Sequence, residues 1–456
     1  MKKISLKKIA EILGAAYTDE DIFIENVSTD TRTIEPGCLF IAIEGERFDA
    51  HAFAAAAADK GAAALVCHKP VDCDAPVLYV EDTRKAYLDI AGYYRSLFSI
   101  PLVGITGSVG KTTTKEFVAL ALSAKYHTLK TEGNFNNDIG MPKTLLRLEQ
   151  EHEAAVIEMG MNHFGEISLL TRAAKPTMGV ITNIGVSHIE NLGSREGILK
   201  AKLEILEGME PTAPLLLNAD NDLLSTVHLE NRKVYYFGIH GEKADFKAEN
   251  IHMSTDAAAF TVTYPGGKQA VTIPVVGEHN VLNAVCAFAV GILNGIEAQA
   301  IADKLKEYVP AGRRQKMVEC GTFTVIEDCY NASPDSMRAA IGTLSAMPAA
   351  KKIAVLADML ELGAFSEQMH REVGTLCAQS GIDVLLAYGA DAKYYCEAAK
   401  AGGMRYVKHF ENKQSLLEAL LEEINTNSAV LFKGSHGMHL EETISALYER
   451  KGIKHE

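Results

Sequence analysis

No stretch of this 456-residue chain holds the ~18–20 consecutive apolar residues that a membrane-spanning helix needs, so no such helix is expected. Basic side chains are in deficit: 45 Lys and Arg stand against 59 Asp and Glu, a formal net charge of −14. General binding to nucleic acid or to an anionic membrane needs a basic footprint, and this composition argues against both. Paired cysteines are missing too. The eight cysteines scatter from Cys38 to Cys396 without a single CxxC, whereas a zinc site wants tight spacing. Reduced thiols in a cytosolic protein are expected. The chain also lacks repeats of solenoid period and low-complexity tracts.

What is present suits a water-soluble globular protein: 47% hydrophobic residues and a mean hydropathy near zero. The length exceeds one ordinary core, so two or three domains are expected. The opening MKKISLKKIAEILGAAY has the basic start of an export signal. Glu11 interrupts its apolar part, however, and Ile4, Leu6, Ile9 and Leu13 recur at helical spacing. It reads as a surface-packed amphipathic helix.

The first segment, residues 1–98, reads as short strands and turns. Pro36-Gly37 turns into an apolar run at 39–43, and an alanine-rich helix covers 52–59. A second segment, 99–312, opens on an apolar strand at 102–105. Further apolar runs follow at 155–157, 179–181, 215–217 and 234–237, with helical patterns between them. That alternation predicts a mainly parallel sheet. The last segment, 313–456, alternates again, with apolar runs at 323–326, 353–356, 384–387 and 430–432. Helical stretches lie at 336–345 and 366–379, a doubly wound, Rossmann-like pattern. The fold class is therefore α/β.

One motif carries most of the chemistry: GITGSVGKTTT, residues 104–114, between a strand and a helix. Glycines let backbone N–H groups close around phosphate oxygens, and the helix N-terminus adds partial positive charge. Lys111 can reach β- and γ-phosphates, and the Thr112 hydroxyl can hold Mg²⁺. The spacing departs from G-x-x-x-x-G-K-T, because Ile105 stands where that pattern has its first glycine. The motif points to a nucleotide without choosing a reaction.

Four constellations follow it. TEGNFNNDIGMP gathers the amides of Asn134, Asn136 and Asn137, suited either to phosphate or carboxylate contact or to local turn hydrogen bonds. VIEMGMN places Glu158 just past a strand end, where it is either a hard oxygen ligand for Mg²⁺ or a solvent-facing carboxylate. ITNIGVSHIENLGS puts His188 after another strand, as an ordinary loop histidine or a metal ligand. AKLEI puts Lys202 on a helix beginning near Arg195, where a lysine is normally a solvated charge.

In their order TGSVGKTTTKE, GNFNNDIGMP, EMGMN, ITNIGVSHIENLGS, AKLEI, GEHNVLNA, GRRQ, DCYNASPDSM, DMLELG and KGSHGM, these motifs make the chain resemble the Mur ligase family over essentially its whole length. The resemblance implies three domains: a UDP-sugar-binding domain at 1–98, a central ATP-binding P-loop domain at 99–312 and a Rossmann-like ligase domain at 313–456. It implies an ATP- and Mg²⁺-dependent amide ligase of cell-wall precursor synthesis, acting through an acyl phosphate. The implied substrates are a UDP-N-acetylmuramoyl-tripeptide and D-alanyl-D-alanine. A cytoplasmic monomer is expected, without nucleic acid or membrane insertion.

The resemblance also implies residue roles. Gly107, Ser108, Val109, Gly110, Lys111, Thr112 and Thr113 would cradle ATP. Glu158 would hold one Mg²⁺ and His188 another, and Lys202 would be the carbamylated lysine that supplies an anionic ligand. Asn280 would lie beside adenine and Arg313 on phosphate, with Asp328, Tyr330 and Asn331 on the third-domain side. Ser28, Asp30 and Arg32 would meet the UDP substrate. Asn134 and Asn137 would contact substrate, as would Asp358, Glu361, Lys433 and Ser435 from the third domain. Two departures stand out: Glu327-Asp328 where the family usually has two aspartates, and His436 where an arginine often follows Lys-Gly-Ser. Another Mur-type ligase, a folylpolyglutamate-type ligase and a P-loop regulatory ATPase are the competing readings.

Overall fold

Ser5 starts the first helix: its side chain accepts the Lys8 N–H, and Gly14 closes the other end in the left-handed region. The helix Leu6–Leu13 lies between them and buries Leu6, Ile9 and Ala10, as its apolar spacing predicts. The computed structural model describes residues 1–45, 48–310, 312 and 314–453. Arg313 lies outside the described residues.

Among the described residues, three main sheets stand in three stretches of the chain. The first is four-stranded and parallel, in the order 26–28, 38–41, 62–67, 77–79. Its strand Cys38–Ile41 is buried at all four positions, because a parallel strand covered on both faces has no polar side. The alanine-rich segment differs from the single helix expected at 52–59. It begins as a 3₁₀ turn, Ala50–Phe53, and becomes α-helical only at Ala54–Asp59. Asp49 causes the tight start: its carboxylate takes both the backbone N–H and the ring Nδ1 of His51.

The central sheet has nine strands among the described residues. From 128–130 at one edge, neighbours run 154–158, 102–106, 178–181, 215–218, 234–238 and 246–253, all parallel. Two antiparallel strands, Ala258–Tyr264 and Gly267–Ile273, then extend the sheet. This ribbon is absent from the sequence reading, although its signals are present. Residues 258–264 alternate buried and less buried positions around a Pro265-Gly266 turn.

Strand 102–106 lies between 154–158 and 178–181, so the chain leaves it first to one side and later to the other. At such a switch point the strand ends part and leave a crevice. Behind it, the helix Glu278–Leu293 buries eleven of its sixteen residues against the sheet. Phe288 in that helix is fully buried and edge-on to Tyr264. Phe288→Ala is expected to lose about 3–5 kcal/mol of stability through the cavity it leaves, measurable by urea denaturation.

The third sheet is six-stranded, in the order 316–319, 323–328, 428–433, 351–357, 384–388, 406–410. It is parallel except for the hairpin of its first two strands. One hydrophobic core runs from Ile4 in the first stretch to Leu224 in the central one, so the first two are packed together. The last stretch has cores of its own on both faces of its sheet, and Phe365 reaches across to pack on the shared core.

Candidate active site

Where strand Leu102–Thr106 ends, the chain turns through Gly107 and Gly110 into the helix Lys111–Ser123. Both glycines have positive φ, 150° and 82°. A Cβ at Gly107 would lie 1.9 Å from Thr182 Oγ1, so no side chain fits there. The loop is held from the next strand. Asn183 accepts the Ser108 N–H on its carbonyl at 3.1 Å and the Val109 N–H on Oδ1 at 2.8 Å. Thr182 Oγ1 donates to the Val109 carbonyl at 2.6 Å. The Lys111 ammonium is folded onto its own loop, donating to the Gly107 carbonyl at 2.8 Å and the Ser108 carbonyl at 3.3 Å.

Glu158 ends the neighbouring strand Ala154–Glu158 and is 2% exposed. Its two oxygens are shared: Oε2 accepts from Thr112 Oγ1 and Oε1 from Asn136 Nδ2, each at 2.9 Å. The solvent-facing alternative for Glu158 is thereby excluded. Asn136 is held in turn by accepting the Gly160 N–H on its carbonyl at 2.8 Å.

His188 sits at φ 62°, a left-handed conformation that histidine adopts far less readily than glycine. Its Nδ1 is 2.8 Å from Glu361 Oε2 of the C-terminal stretch. The His188 ring holds the Glu361 carboxyl below its ordinary pKa, against the opposing effect of burial. The Lys202 side chain, on the helix Arg195–Leu203, is 2% exposed rather than solvated. No carboxylate among the described residues pairs with it. Burial and then the nearby Lys111 push its pKa well below the ordinary lysine range. Burial also lowers the Lys111 pKa; Glu158 opposes the shift and Arg314 adds to it.

One cavity of ≈ 940 Å³ joins the phosphate loop, Glu158 and His188 to the C-terminal stretch, while Gly107 and the buried Lys202 are not among the residues that line it. Ser108 to Thr113, Asn134, Asn137, Glu158, His188 and Asn280 line it from the central stretch. Asp328, Tyr330, Asn331, Glu361, Lys433 and Ser435 line it from the other side. There the buried Lys433 Nζ pairs with the buried Asp328 Oδ2 at 2.8 Å and donates to the Asn331 carbonyl at 3.1 Å. Ser435 Oγ accepts the Leu360 N–H. The Arg314 guanidinium lies over the Tyr330 ring at 4.1 Å, and the ring of His436 is 5.9 Å from that of Tyr330. Glu327 points to the other face of its strand, where its carboxylate accepts from Tyr448 Oη at 2.7 Å. The departure at that position is thus turned away from the cavity.

The remaining expected groups have local partners of their own. Asp358 is turned inward, accepting the N–H groups of Ala392 at 2.7 Å and Asp391 at 3.3 Å, and it anchors that turn. Asn137 lines the cavity, but its Oδ1 caps the N–H groups of Gly140 and Ile139. Ser28, Asp30 and Arg32 lie in the first stretch, outside this cavity. There Ser28 Oγ meets Thr33 Oγ1, and the Arg32 guanidinium grips Asp30, holding its carboxyl down at about 2. Arg314 and Asn183 were missed by sequence reasoning, and the amide of Asn136, expected at phosphate or carboxylate, instead donates to Glu158. Arg314 stands in GRRQ and Asn183 in ITNIGVSHIENLGS, but only the fold shows which way they face.

A phosphate loop, a buried carboxylate at its hydroxyl and an opposing Rossmann-like wall define a nucleotide-dependent group-transfer enzyme. The chain belongs to the Mur ligase family. The Mur ligase middle domain matches residues 105–291, the Mur ligase glutamate ligase domain 312–436 and the Mur ligase family catalytic domain 23–95. The chain is 39% identical, over 98% of its length and 99% of the relative's, to UDP-N-acetylmuramoyl-tripeptide–D-alanyl-D-alanine ligase of Bacillus subtilis (strain 168). It is similar to the crystal structure of MurF from Acinetobacter baumannii, with TM-score 0.92, 32% identity and coverage of 98% and 99% of the two chains. It is also similar to MurF ligase from Thermotoga maritima, solved in complex with ADP: TM-score 0.86, 25% identity, coverage 94% and 98%.

Proposed function

We propose that this enzyme joins D-alanyl-D-alanine to a UDP-N-acetylmuramoyl-tripeptide, driven by ATP, in peptidoglycan precursor synthesis. The carrying observation is the single cavity in which Lys111, Thr112 and Glu158 face Asp328 and Lys433. The full-length similarity to ligases bearing that name gives the substrates, and the ADP-bound relative supports the nucleotide.

A peptide carboxylate oxygen attacks the γ-phosphorus of ATP, and the bond to the bridging oxygen breaks to release ADP. The amine of the dipeptide then attacks the acyl phosphate carbon, and phosphate leaves as the amide forms. Like charges must approach in the first step, so catalysis here is mostly the placing of cations and alignment. Lys111 leaves the loop carbonyls for the transferred phosphate. Glu158, the Thr112 hydroxyl and the His188 ring beside Glu361 offer hard oxygen and imidazole donors on one side of the cavity. They fit Mg²⁺, which when bound supplies charge neutralisation at the phosphates. Lys202, buried beside Lys111, would as its carbamate add a second anionic donor.

Asn280 and Gln315 border the adenine end, where Asn280 Nδ2 donates to the Val276 carbonyl and His279 meets Gln315 Oε1 at 2.7 Å. Residues 1–98 bind the UDP-sugar, through Ser28, Asp30 and Arg32. Residues 99–312 hold ATP, and 313–456 close the cavity and receive the dipeptide. No described helix is long and apolar enough to cross a membrane. We place the enzyme in the cytoplasm as a monomer.

Phosphate release measured with each UDP-muramoyl peptide and each amino donor tests the reading. Release is expected only when tripeptide and D-alanyl-D-alanine are both present. Release with no amino donor, or with a single amino acid in preference to the dipeptide, would overturn it.

A further inference from the structure

The C-terminal stretch touches the loop after strand Met178–Ile181 through one further carboxylate, Asp335. It stands in the first turn of the helix Pro334–Ala346, whose start Ser333 caps. Its Oδ2 is buried and has no hydrogen-bond partner. A Cβ placed on Gly185 would lie 1.9 Å from that oxygen and 3.4 Å from Ser108 Cβ. The carboxylate is thus pressed against the backbone beside the phosphate loop, where only glycine leaves room.

Arg195 approaches the same loop from within the central stretch. Its Nη1 and Nη2 grip Asp222 at 2.7 and 2.5 Å, and Nη2 also donates to the Ile184 carbonyl at 2.8 Å. The third donor, Nε, is buried and unpartnered. Burial pushes the Asp335 carboxyl up; Arg195 first and then Arg338 oppose the shift, while Asp222 adds to it. A buried acceptor on one stretch and a buried donor on the other are both unsatisfied across one junction. Each is costly alone, and their union removes both costs.

The cluster of Glu44, His51 and His68 shows the contrast. There His51 Nε2 already accepts the His68 N–H, and Glu44 already pairs with His68 and Lys69. No orphaned atom invites a ligand.

We infer that Asp335 and Arg195 form a cross-domain positioning pair that meets when the C-terminal domain seats on the loaded cavity. The inference rests on the ligase reading, since an acyl phosphate must be kept from water by closure. The loop that the pair grips is the one that matters for chemistry. Asn183 holds Ser108 and Val109, Ile184 is fixed by Arg195 and Asn221, and His188 follows. Seating of the domain is thereby transmitted to the phosphate loop and to His188.

The experiment is a double-substitution cycle of Asp335→Asn and Arg195→Lys. The lysine keeps a cation for Asp222 but removes the Nε edge. Donor-dependent ligation by the wild type is established first; its absence would remove the ligase reading rather than the pair. Each single variant is expected to lower kcat about tenfold, as for one lost charge-assisted hydrogen bond, with little change in the KM for ATP. The double variant should be no slower than the slower single one. Asp335→Glu, which keeps the charge, should retain more activity than Asp335→Asn. In small-angle scattering, contraction on adding ADP with both substrates should occur in the wild type and be lost in Asp335→Asn. Undiminished kcat in Asp335→Asn, or independent losses multiplying to about a hundredfold in the double variant, would overturn the pairing.

Discussion

Lys202→Ala is expected to lower kcat by about 10²–10³-fold, the scale for loss of a charged group aimed at the reacting phosphate. A lysine with 2% exposure, a second lysine beside it and no described carboxylate partner is in an unfavourable place for a cation. Its depressed pKa leaves the amine more readily neutral. A neutral amine can attack CO₂, forming a carbamate and releasing a proton. That exchange turns the buried neutral amine into an anion beside Lys111. High bicarbonate or short carboxylic acids should restore part of the activity to the alanine variant by refilling the anionic position. Wild-type turnover in Lys202→Ala would remove the residue from the mechanism.

Lys111→Met should be nearly as severe, with kcat down by about 10²–10³-fold and weaker ATP binding. Methionine keeps much of the stem's bulk, so the charge is what is lost. In this structure the ammonium is held by two loop carbonyls, at 2.8 and 3.3 Å. A phosphate oxygen is the stronger, charge-assisted partner and draws the ammonium off the loop. Phosphate release under saturating substrates, together with nucleotide titration, measures both effects. Turnover within tenfold of wild type would mean that the transferred phosphate is neutralised elsewhere.

The phosphate loop was legible in the sequence because its chemistry is local. Glycines at 107 and 110, the following Lys-Thr and the flanking strand and helix are all neighbours in the chain. Glu158 was legible as a strand-end carboxylate, though its sharing between Thr112 and Asn136 was not. The resemblance to a known family reached further, giving Lys202 a role that its composition and helical setting argued against. Asp358 shows the limit. It stands in a quoted motif, yet its side chain turns away from the cavity to hold the turn at Asp391 and Ala392. The antiparallel ribbon of 258–273 was missed because short alternating strands compete poorly with the strong helix-and-strand rhythm on either side.

By itself, then, the sequence determined the parallel architecture, the nucleotide loop and the identity of the groups able to meet phosphate and metal. These follow from side-chain periodicity and from motifs whose parts are chain neighbours. Tertiary structure alone decided which of those groups share one cavity. It buried Lys202 beside Lys111, brought Glu361 to His188 and left Asp335 Oδ2 and Arg195 Nε both buried and unsatisfied. Burial and pairing across 140 residues depend on how three sheets pack, and no local pattern encodes the distance between two side chains that meet only through that packing.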